Sequence, residues 1–198
     1  MTDASAKAVT TDDAVDTAAS GTTRLLASLR QENGAGVVHL EDVYDADIDD
    51  LWSAITDPSR LGRWAAKVEG EPRVGGEFRI EWVSGWEGTG RVEVCEAPHH
   101  LRITTWSDED APAIIDATLV AEGDRTRLIV ENIGLRLGDY HVYASGWQAH
   151  LEDLGRYFAG RAPSDWAART RELSPEYAQL IARQRQVGDP AAARPGPR

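Results

Sequence analysis

The sequence predicts an α+β protein in which a curved antiparallel sheet closes over one long C-terminal helix. Between residues 77 and 133, five runs of alternating apolar and polar residues follow one another, joined by short turns. Strands joined so directly form an antiparallel meander, because parallel pairs need a long crossover between them. Apolar residues then recur every three or four positions from Tyr140 to Phe158, which is the spacing of one helix face. The predicted domain spans residues 37–160.

The stretch before the meander predicts a first strand and two short helices. Residues 37–46, VVHLEDVYDA, alternate as a strand does. Asp47 suits the N-cap of a helix, and Asp50 follows three residues later. Asp57-Pro58 ends this helix, since proline disfavours helical backbone in the residue before it, and Pro58 suits the start of a second helix. The apolar stripe of the first helix is Ile48, Leu51, Trp52 and Ile55.

Alternation within the meander assigns side chains to faces of the sheet. In EFRIEWV, the apolar Phe78, Ile80 and Trp82 share one face. The sequence GWEGTG, residues 85–90, predicts a hairpin tip. In the long helix, Gly146 lowers the helix propensity, and its missing side chain allows close approach to the sheet.

The segments on either side of the domain are expected to be partly disordered and partly helical. Residues 1–23 and 188–198 are predicted to be disordered tails. Residues 24–36 predict a short helix and a linker, because three leucines have helical spacing and glycine follows them. Residues 161–187 predict a helical extension, with a helix start at Ser174-Pro175-Glu176.

Composition and charge exclude several classes of protein. The formal net charge is −12, and residues 37–160 carry 24 acidic and 11 basic side chains, a net of −13. Nucleic-acid binding needs basic surface, so no nucleic-acid partner is expected. Cys95 is the single cysteine, which excludes an intramolecular disulfide and a multi-cysteine metal site. With no apolar run of membrane-spanning length and no signal-peptide pattern, a cytoplasmic location is expected.

Four motifs occur in a characteristic order: VYDADIDDLWSAITDPSRLGRW at 43–64, VGGEFR at 74–79, GRVEVCEAPHHLRITTW at 90–106 and GWQAHLEDLGRYF at 146–158. In this order they resemble the START-like helix-grip superfamily (SRPBCC). The more specific resemblance is to the branch named after the C-terminal domain of the activator of the heat-shock-protein-ninety ATPase. The resemblance implies a helix-grip fold, with a six- to seven-stranded sheet around the C-terminal helix and a cavity between them. It also implies an apolar or amphipathic small-molecule ligand, and no cofactor.

The candidate ligand-binding residues are aromatic side chains expected to line such a cavity and polar side chains on or near the same surfaces. A flat aromatic wall with a few polar groups is how small-molecule pockets are built. A buried histidine or arginine among apolar walls would orient a carboxylate or carbonyl of the ligand. The alternative is that the aromatic side chains simply fill the core. The candidates are Phe78, Trp82, Trp106, Asn132, Tyr143, Trp147 and His150.

No catalytic or metal-binding residue is assigned from the sequence. The acidic cluster 45–50 lacks the glycine and the glutamate of a calcium loop, so charge at a helix N-terminus explains it better. His99 and His100 have no third ligand at metal spacing. No G-x-S-x-G motif is present.

Three functions therefore remain open. The first is binding of a small molecule between sheet and helix, and this hypothesis is favoured over an enzyme. The second is a cyclase- or hydratase-type enzyme that uses a pocket histidine or arginine as acid or base. The third is a co-chaperone-like interaction module with a chaperone partner. The namesake co-chaperone carries a large additional N-terminal domain, whereas about 36 residues precede the domain here, so the chaperone partner is the least favoured of the three.

Overall fold

The computed structural model describes residues 24–188, in which eight strands form one curved antiparallel sheet. The order across the sheet is β1-β2-β8-β7-β6-β5-β4-β3, and every neighbouring pair is antiparallel. The α+β prediction is thus confirmed, with a slightly higher strand count. The strands are β1 Ala27–Glu32, β2 Ala35–Tyr44, β3 Ala66–Gly70, β4 Glu77–Trp82, β5 Glu87–Glu96, β6 His100–Trp106, β7 Ala113–Glu122 and β8 Arg125–Leu135.

Four α-helices and one 3-10 turn complete the described chain. Two short helices follow β2, as predicted, and two long helices follow β8. In the described residues, none of the helices has the length and apolar character needed to cross a membrane. The helices are α1 Ile48–Thr56, α2 Pro58–Leu61, α3 Tyr140–Phe158 and α4 Trp166–Gly188, and the 3-10 turn is Leu137–Asp139.

Aspartates begin both short helices. The Asp47 carboxylate accepts a hydrogen bond from the Asp50 amide at 2.8 Å, and Asp57 accepts from the amides of Ser59 and Arg60 at 2.7 and 3.2 Å. Such caps satisfy backbone donors that the first helical turn leaves free. They fix where the two helices start, and hence where α1 and α2 lie at the end of the sheet.

Helix α3 packs its apolar side on the concave face of the sheet. Ala144, Leu151 and Leu154 of α3 are buried, as are Leu128 and Val130 of β8. Full burial of one such aliphatic side chain contributes roughly 1.5–3 kcal/mol. This apolar layer joins sheet and helix.

The helix expected within residues 24–36 is wrong, because this segment forms strand β1. Asn33 and Gly34 both adopt positive φ, 51° and 82°, which is the backbone of a tight hairpin turn between β1 and β2. The Asn-Gly pair was thus a hairpin signal, and Gly34 does not stop a helix. The leucines of this segment still pack against the core from the edge of the sheet.

The predicted start of the last helix at Ser174-Pro175-Glu176 is also wrong. Helix α4 begins eight residues earlier, at Trp166, and continues through Pro175. Asp165 supplies the start signal, because its carboxylate accepts a hydrogen bond from the Ala168 amide at 2.9 Å. The tails predicted to be disordered lie outside the described residues, apart from residue 188, which belongs to α4.

Tyr177 of α4 joins both ends of the described chain to α3. Its side chain is completely buried. Its hydroxyl accepts a hydrogen bond from the Ala27 amide at 2.9 Å and donates one to the Gln148 side chain. The same Gln148 oxygen accepts from the Leu26 amide at 3.1 Å. Strand β1, α3 and α4 therefore share one buried polar network.

We expect Tyr177→Phe to lower the free energy of unfolding by about 1–2 kcal/mol, because the buried Ala27 amide loses its acceptor. Urea denaturation measures this. The matched control is Tyr157→Phe, whose half-buried hydroxyl accepts from Arg60 at 3.0 Å, and whose effect should be smaller. Equal effects of the two substitutions would contradict a network role for Tyr177.

Candidate ligand-binding site

Two adjoining cavities lie between the concave face of the sheet and α3. The inner cavity has a volume of about 120 Å³, and the outer cavity about 540 Å³. Trp82, Ile115 and Trp147 belong to the walls of both. Pockets for small molecules are typically ~300–1,000 Å³, so the outer cavity is of a size that holds a ligand.

The inner cavity is almost wholly apolar. Side chains from α1, α2 and the strands line it, and Phe78 is one of them. The Phe78 ring lies directly against Gly90 on the neighbouring strand, in space that a side chain at residue 90 would need. This glycine therefore allows the ring to lie flat on the sheet at the inner wall.

The outer cavity opens between three connections of the sheet. They are the β4–β5 hairpin, the β6–β7 loop and the β8–α3 connection, which meet at what we call the mouth. At the mouth, the Trp86 indole donates to the Asp110 carboxylate at 2.8 Å. The Arg136 guanidinium lies 3.9 Å from the Asp110 carboxylate and 3.0 Å from the Asp139 carboxylate. Polar contacts thus link all three connections around the opening.

Three indole rings surround His150 on the α3 side of the outer cavity. The ring centroids of Trp82, Trp147 and Trp166 lie 4.9, 6.0 and 5.6 Å from that of His150. Trp82 and Trp147 also meet edge to face, with centroids 5.5 Å apart, an arrangement that aromatic pairs favour. This aromatic pair separates the inner cavity from the outer one.

A hydrogen bond holds Trp147 in this position. Its indole nitrogen donates to the Asn132 side-chain oxygen at 3.0 Å, and the Asn132 amide group donates to the Ile114 carbonyl at 3.0 Å. Asn132 is only 5% exposed. Its two hydrogen bonds therefore fix both its own orientation and that of the indole.

His150 is neutral at neutral pH. It is 5% exposed, and burial lowers the pKa of its imidazole to about 4, because a low-dielectric environment disfavours the charged form. Its Nδ1 atom is buried without a hydrogen-bond partner. A neutral imidazole nitrogen of this kind either donates or accepts, depending on the tautomer.

Two further buried polar atoms near His150 also lack a partner. Among the side chains that the structure describes, residues 24–184, the buried atoms without a hydrogen bond are His150 Nδ1, Ser164 Oγ and Trp166 Nε1. Each such atom costs roughly 1–3 kcal/mol when it is left unpaired. His150 lies on α3, and Ser164 and Trp166 lie just before and at the start of α4, so all three belong to the contact between these two helices.

The structure brings six of the seven predicted site residues to the cavities. Phe78 lines the inner one, and Trp82 and Trp147 line both. The outer cavity is also lined by Asn132, Tyr143 and His150.

Trp106 is the exception and must be corrected. Thr105 lines the outer cavity, so its neighbour Trp106 points to the opposite face of the sheet. There the Arg91 guanidinium lies 6.0 Å from the centre of the indole ring. Trp106 lines neither cavity, and strand alternation alone already gave this answer.

Sequence reasoning missed Trp86 and Trp166. Trp86 was visible only as part of a hairpin tip, and Trp166 reaches the site from a helix that follows the predicted domain.

The expectation that Gly146 allows close approach to the sheet is wrong, because this residue faces α4 and not the sheet. A Cβ atom at residue 146 would lie 3.2 Å from the Trp166 ring, so glycine lets the indole lie close to α3.

No metal site accompanies these groups in the part of the chain that the structure describes. Within residues 24–188, no three histidine, cysteine, aspartate or glutamate side chains come together in a way that could hold an ion.

The family model described as activator of Hsp90 ATPase homolog 1-like protein matches residues 45–159. This match covers more than half of the chain. The protein belongs to this family. The matched region contains strands β3 to β8, which form the sheet walls of both cavities, and all of α3. Strand β1 and helix α4 lie outside it. No curated protein matches the chain.

Solved structures with the same fold include CalU16 from Micromonospora echinospora. Its crystal structure is 26% identical, has a TM-score of 0.66, and covers 79% of this chain and 96% of its own. Its solution structure is 25% identical with the same TM-score of 0.66, covering 83% and 98%. DynU16, a protein of the dynemicin biosynthetic locus, is 21% identical with a TM-score of 0.58, covering 64% of this chain and 48% of its own. At that identity the likeness shows the fold.

The Asn132–Trp147 hydrogen bond predicts energetic coupling between the two side chains. In a double-mutant cycle of Asn132→Ala and Trp147→Phe, we expect a coupling free energy of about 1 kcal/mol, because either single change already removes the bond. Urea denaturation of the four proteins measures it. Strictly additive effects would show that the bond does not contribute to stability.

The buried His150 predicts a loss of stability in acid. Its folded-state pKa of about 4 lies below the ordinary value of about 6.5 for an unfolded chain, so the unfolded state binds the proton first. The stabilisation of the folded state that depends on neutral His150 is present above pH 6.5 and is lost as the pH falls towards 4. Between pH 7 and pH 5 the free energy of unfolding of the native protein should fall by about 2 kcal/mol more than that of His150→Gln. Denaturation curves at both pH values test this, and parallel losses would contradict it.

Proposed function

We propose that the protein binds an uncharged apolar or amphipathic small molecule in the outer cavity. The observation that carries this proposal is the cavity of about 540 Å³ between sheet and α3, with indole and phenol rings on its walls. Large aromatic surfaces contribute much apolar area at little entropic cost, which suits a binding wall. The adjoining inner cavity extends the apolar space beyond Trp82 and Trp147.

The charges around the cavity favour a neutral ligand. The charged side chains on its walls are Asp110, Arg136 and Asp139, all at the mouth. Arg136 already contacts both carboxylates, so it has little charge to offer an anion. Deeper in the cavity, His150 is neutral. An anionic ligand would therefore lose its hydration without gaining a cationic partner.

A second candidate function, an acid–base enzyme, rests on the unpartnered imidazole of His150. General acid–base catalysis is most efficient when the catalytic pKa lies near the working pH. Burial lowers the pKa of His150 to about 4, so at neutral pH the imidazole is a weak base. The geometry therefore supports binding better than catalysis.

A chaperone-binding role, which the family name suggests, has no observation of its own in residues 24–188. The observation in this range that bears on function is the cavity, and it supports small-molecule binding.

Binding is tested by titrating the protein with N-phenyl-1-naphthylamine, an uncharged probe whose fluorescence rises in apolar surroundings. Ala113 lines the outer cavity on β7, so Ala113→Trp should fill it and weaken probe binding at least ~10-fold, a loss of about 1.4 kcal/mol. The matched control is Ala121→Trp, at an exposed position of the same strand. Native mass spectrometry gives the stoichiometry independently.

Two results would overturn the proposed function. One is the absence of probe binding to the native protein. The other is unchanged binding in Ala113→Trp, which would place the probe elsewhere on the protein.

A further inference from the structure

We propose that the junction of α3 and α4 is the polar end of this ligand site and binds a hydroxyl or carbonyl oxygen of an otherwise apolar ligand. The inference deepens the proposed binding function and rests on it. We define the junction by the three groups already noted: His150 on α3, Ser164 in the connection, and Trp166 at the start of α4.

The connection between the two helices holds these groups together. The Ser164 amide donates to the Asp153 carboxylate at 2.7 Å, and Asp153 lies one turn after His150 on α3. The Trp166 ring stacks near the His150 ring, with 5.6 Å between centroids and 33° between planes. His150 and Trp166 both line the outer cavity. His150 and Trp166 thus form one corner of that cavity, and Ser164 adjoins it in the connection between the two helices.

The chemistry of the three atoms selects an oxygen. The Trp166 indole nitrogen can only donate a hydrogen bond, whereas the Ser164 hydroxyl and the neutral His150 imidazole can donate or accept. A carbonyl or hydroxyl oxygen accepts from such donors, and a hydroxyl also offers a proton to the remaining acceptor. A pure hydrocarbon satisfies none of them.

The charges facing the junction exclude a carboxylate ligand. Asp153 is buried, at 1% exposure, and the nearest cation to it is Arg156, with 3.8 Å between Nε and the carboxylate. Arg169 is engaged by Glu152 through contacts of 2.7 and 2.8 Å. A second carboxylate would meet a buried negative charge and no free cation, so the bound oxygen belongs to a neutral group.

Access to the junction requires movement of one side chain. The three atoms are closed off from solvent, and the Trp166 indole lies over Gly146, which has no side chain to obstruct it. Because α4 is also held through Tyr177 and Arg169, we expect the Trp166 indole to be the side chain that rotates towards the outer cavity and opens the corner. A ligand oxygen that reaches the corner then supplies the missing hydrogen bonds.

Helix α4 and the connection before it contribute to this corner from outside the family match. The family match ends at residue 159, and Ser164 and Trp166 follow it. Two of the three groups therefore come from a segment outside the family domain, and they add oxygen recognition to a cavity whose other walls are mostly apolar.

The test uses fluorene and 9-fluorenone, which have the same shape and differ by one carbonyl oxygen. Each competes with N-phenyl-1-naphthylamine for the native protein. A wholly apolar cavity would favour fluorene, whereas a polar corner should make fluorenone the tighter competitor by about tenfold, the equivalent of one neutral hydrogen bond.

Ser164→Ala and Trp166→Phe should each reduce this ratio of the two affinities towards one. Trp52→Phe, a matched change on α1 that lies outside both cavities, should leave the ratio unchanged.

Nuclear magnetic resonance locates the contact. The indole N–H signal of Trp166 is identified as the one that is missing from the spectrum of Trp166→Phe. In the native protein this signal should move downfield when fluorenone is added, because a hydrogen-bonded proton is deshielded. If the probe binds but fluorene and fluorenone compete equally, the polar corner is overturned and the proposed function stands. If the probe does not bind at all, the proposed function fails and the inference fails with it.

Discussion

Helix α3 has to bury two unlike surfaces, and the rest of the structure depends on how it does so. One side is apolar and lies on the sheet. The other carries Gln148, His150 and Asp153, all buried, which would be costly in an apolar environment without partners. Tyr177 of α4 and the Leu26 amide just before β1 pair with Gln148, and the Ser164 amide in the α3–α4 connection pairs with Asp153. The segments at both ends of the described chain thus supply polar partners to the outer side of α3.

The cavities follow from the same arrangement. A sheet that curves around a helix cannot contact it evenly along its length, and bulky rings keep the two layers apart where they diverge. Trp82 and Trp147 line both cavities, and the hydrogen bond to Asn132 fixes the orientation of the Trp147 indole. The tight packing usual for protein interiors is relaxed at these cavities.

Much of the fold could be predicted because local signals agreed with it. Alternation, the Asp47 and Asp57 caps and the apolar stripe of α3 each depend on neighbouring residues, and each led to the correct element. Strand β1 was missed because three leucines fit a helix as well as a half-buried strand, and only pairing with β2 decides between them. The Asn-Gly turn was the local clue that should have outweighed the leucine spacing.

The site was less predictable than the fold because its residues meet across long sequence separations. His150 and Trp147 were found from helix spacing, since α3 can be drawn from the sequence alone. The contact of Trp166 with Gly146 depends on how α4 docks, which no local pattern encodes. Trp106 was misassigned despite a clear alternation, because aromatic character was given more weight than the face on which the residue lies.

The indole cluster around His150 also gives the protein an internal optical reporter. Trp82 and Trp147 lie 5.5 Å apart, close enough for their electronic transitions to couple and to produce a signal in near-ultraviolet circular dichroism. Protonated imidazole quenches indole emission, so the charge state of His150 is visible in the same bands. The surroundings and the protonation state of this cluster can therefore be followed in the unlabelled protein, with light alone.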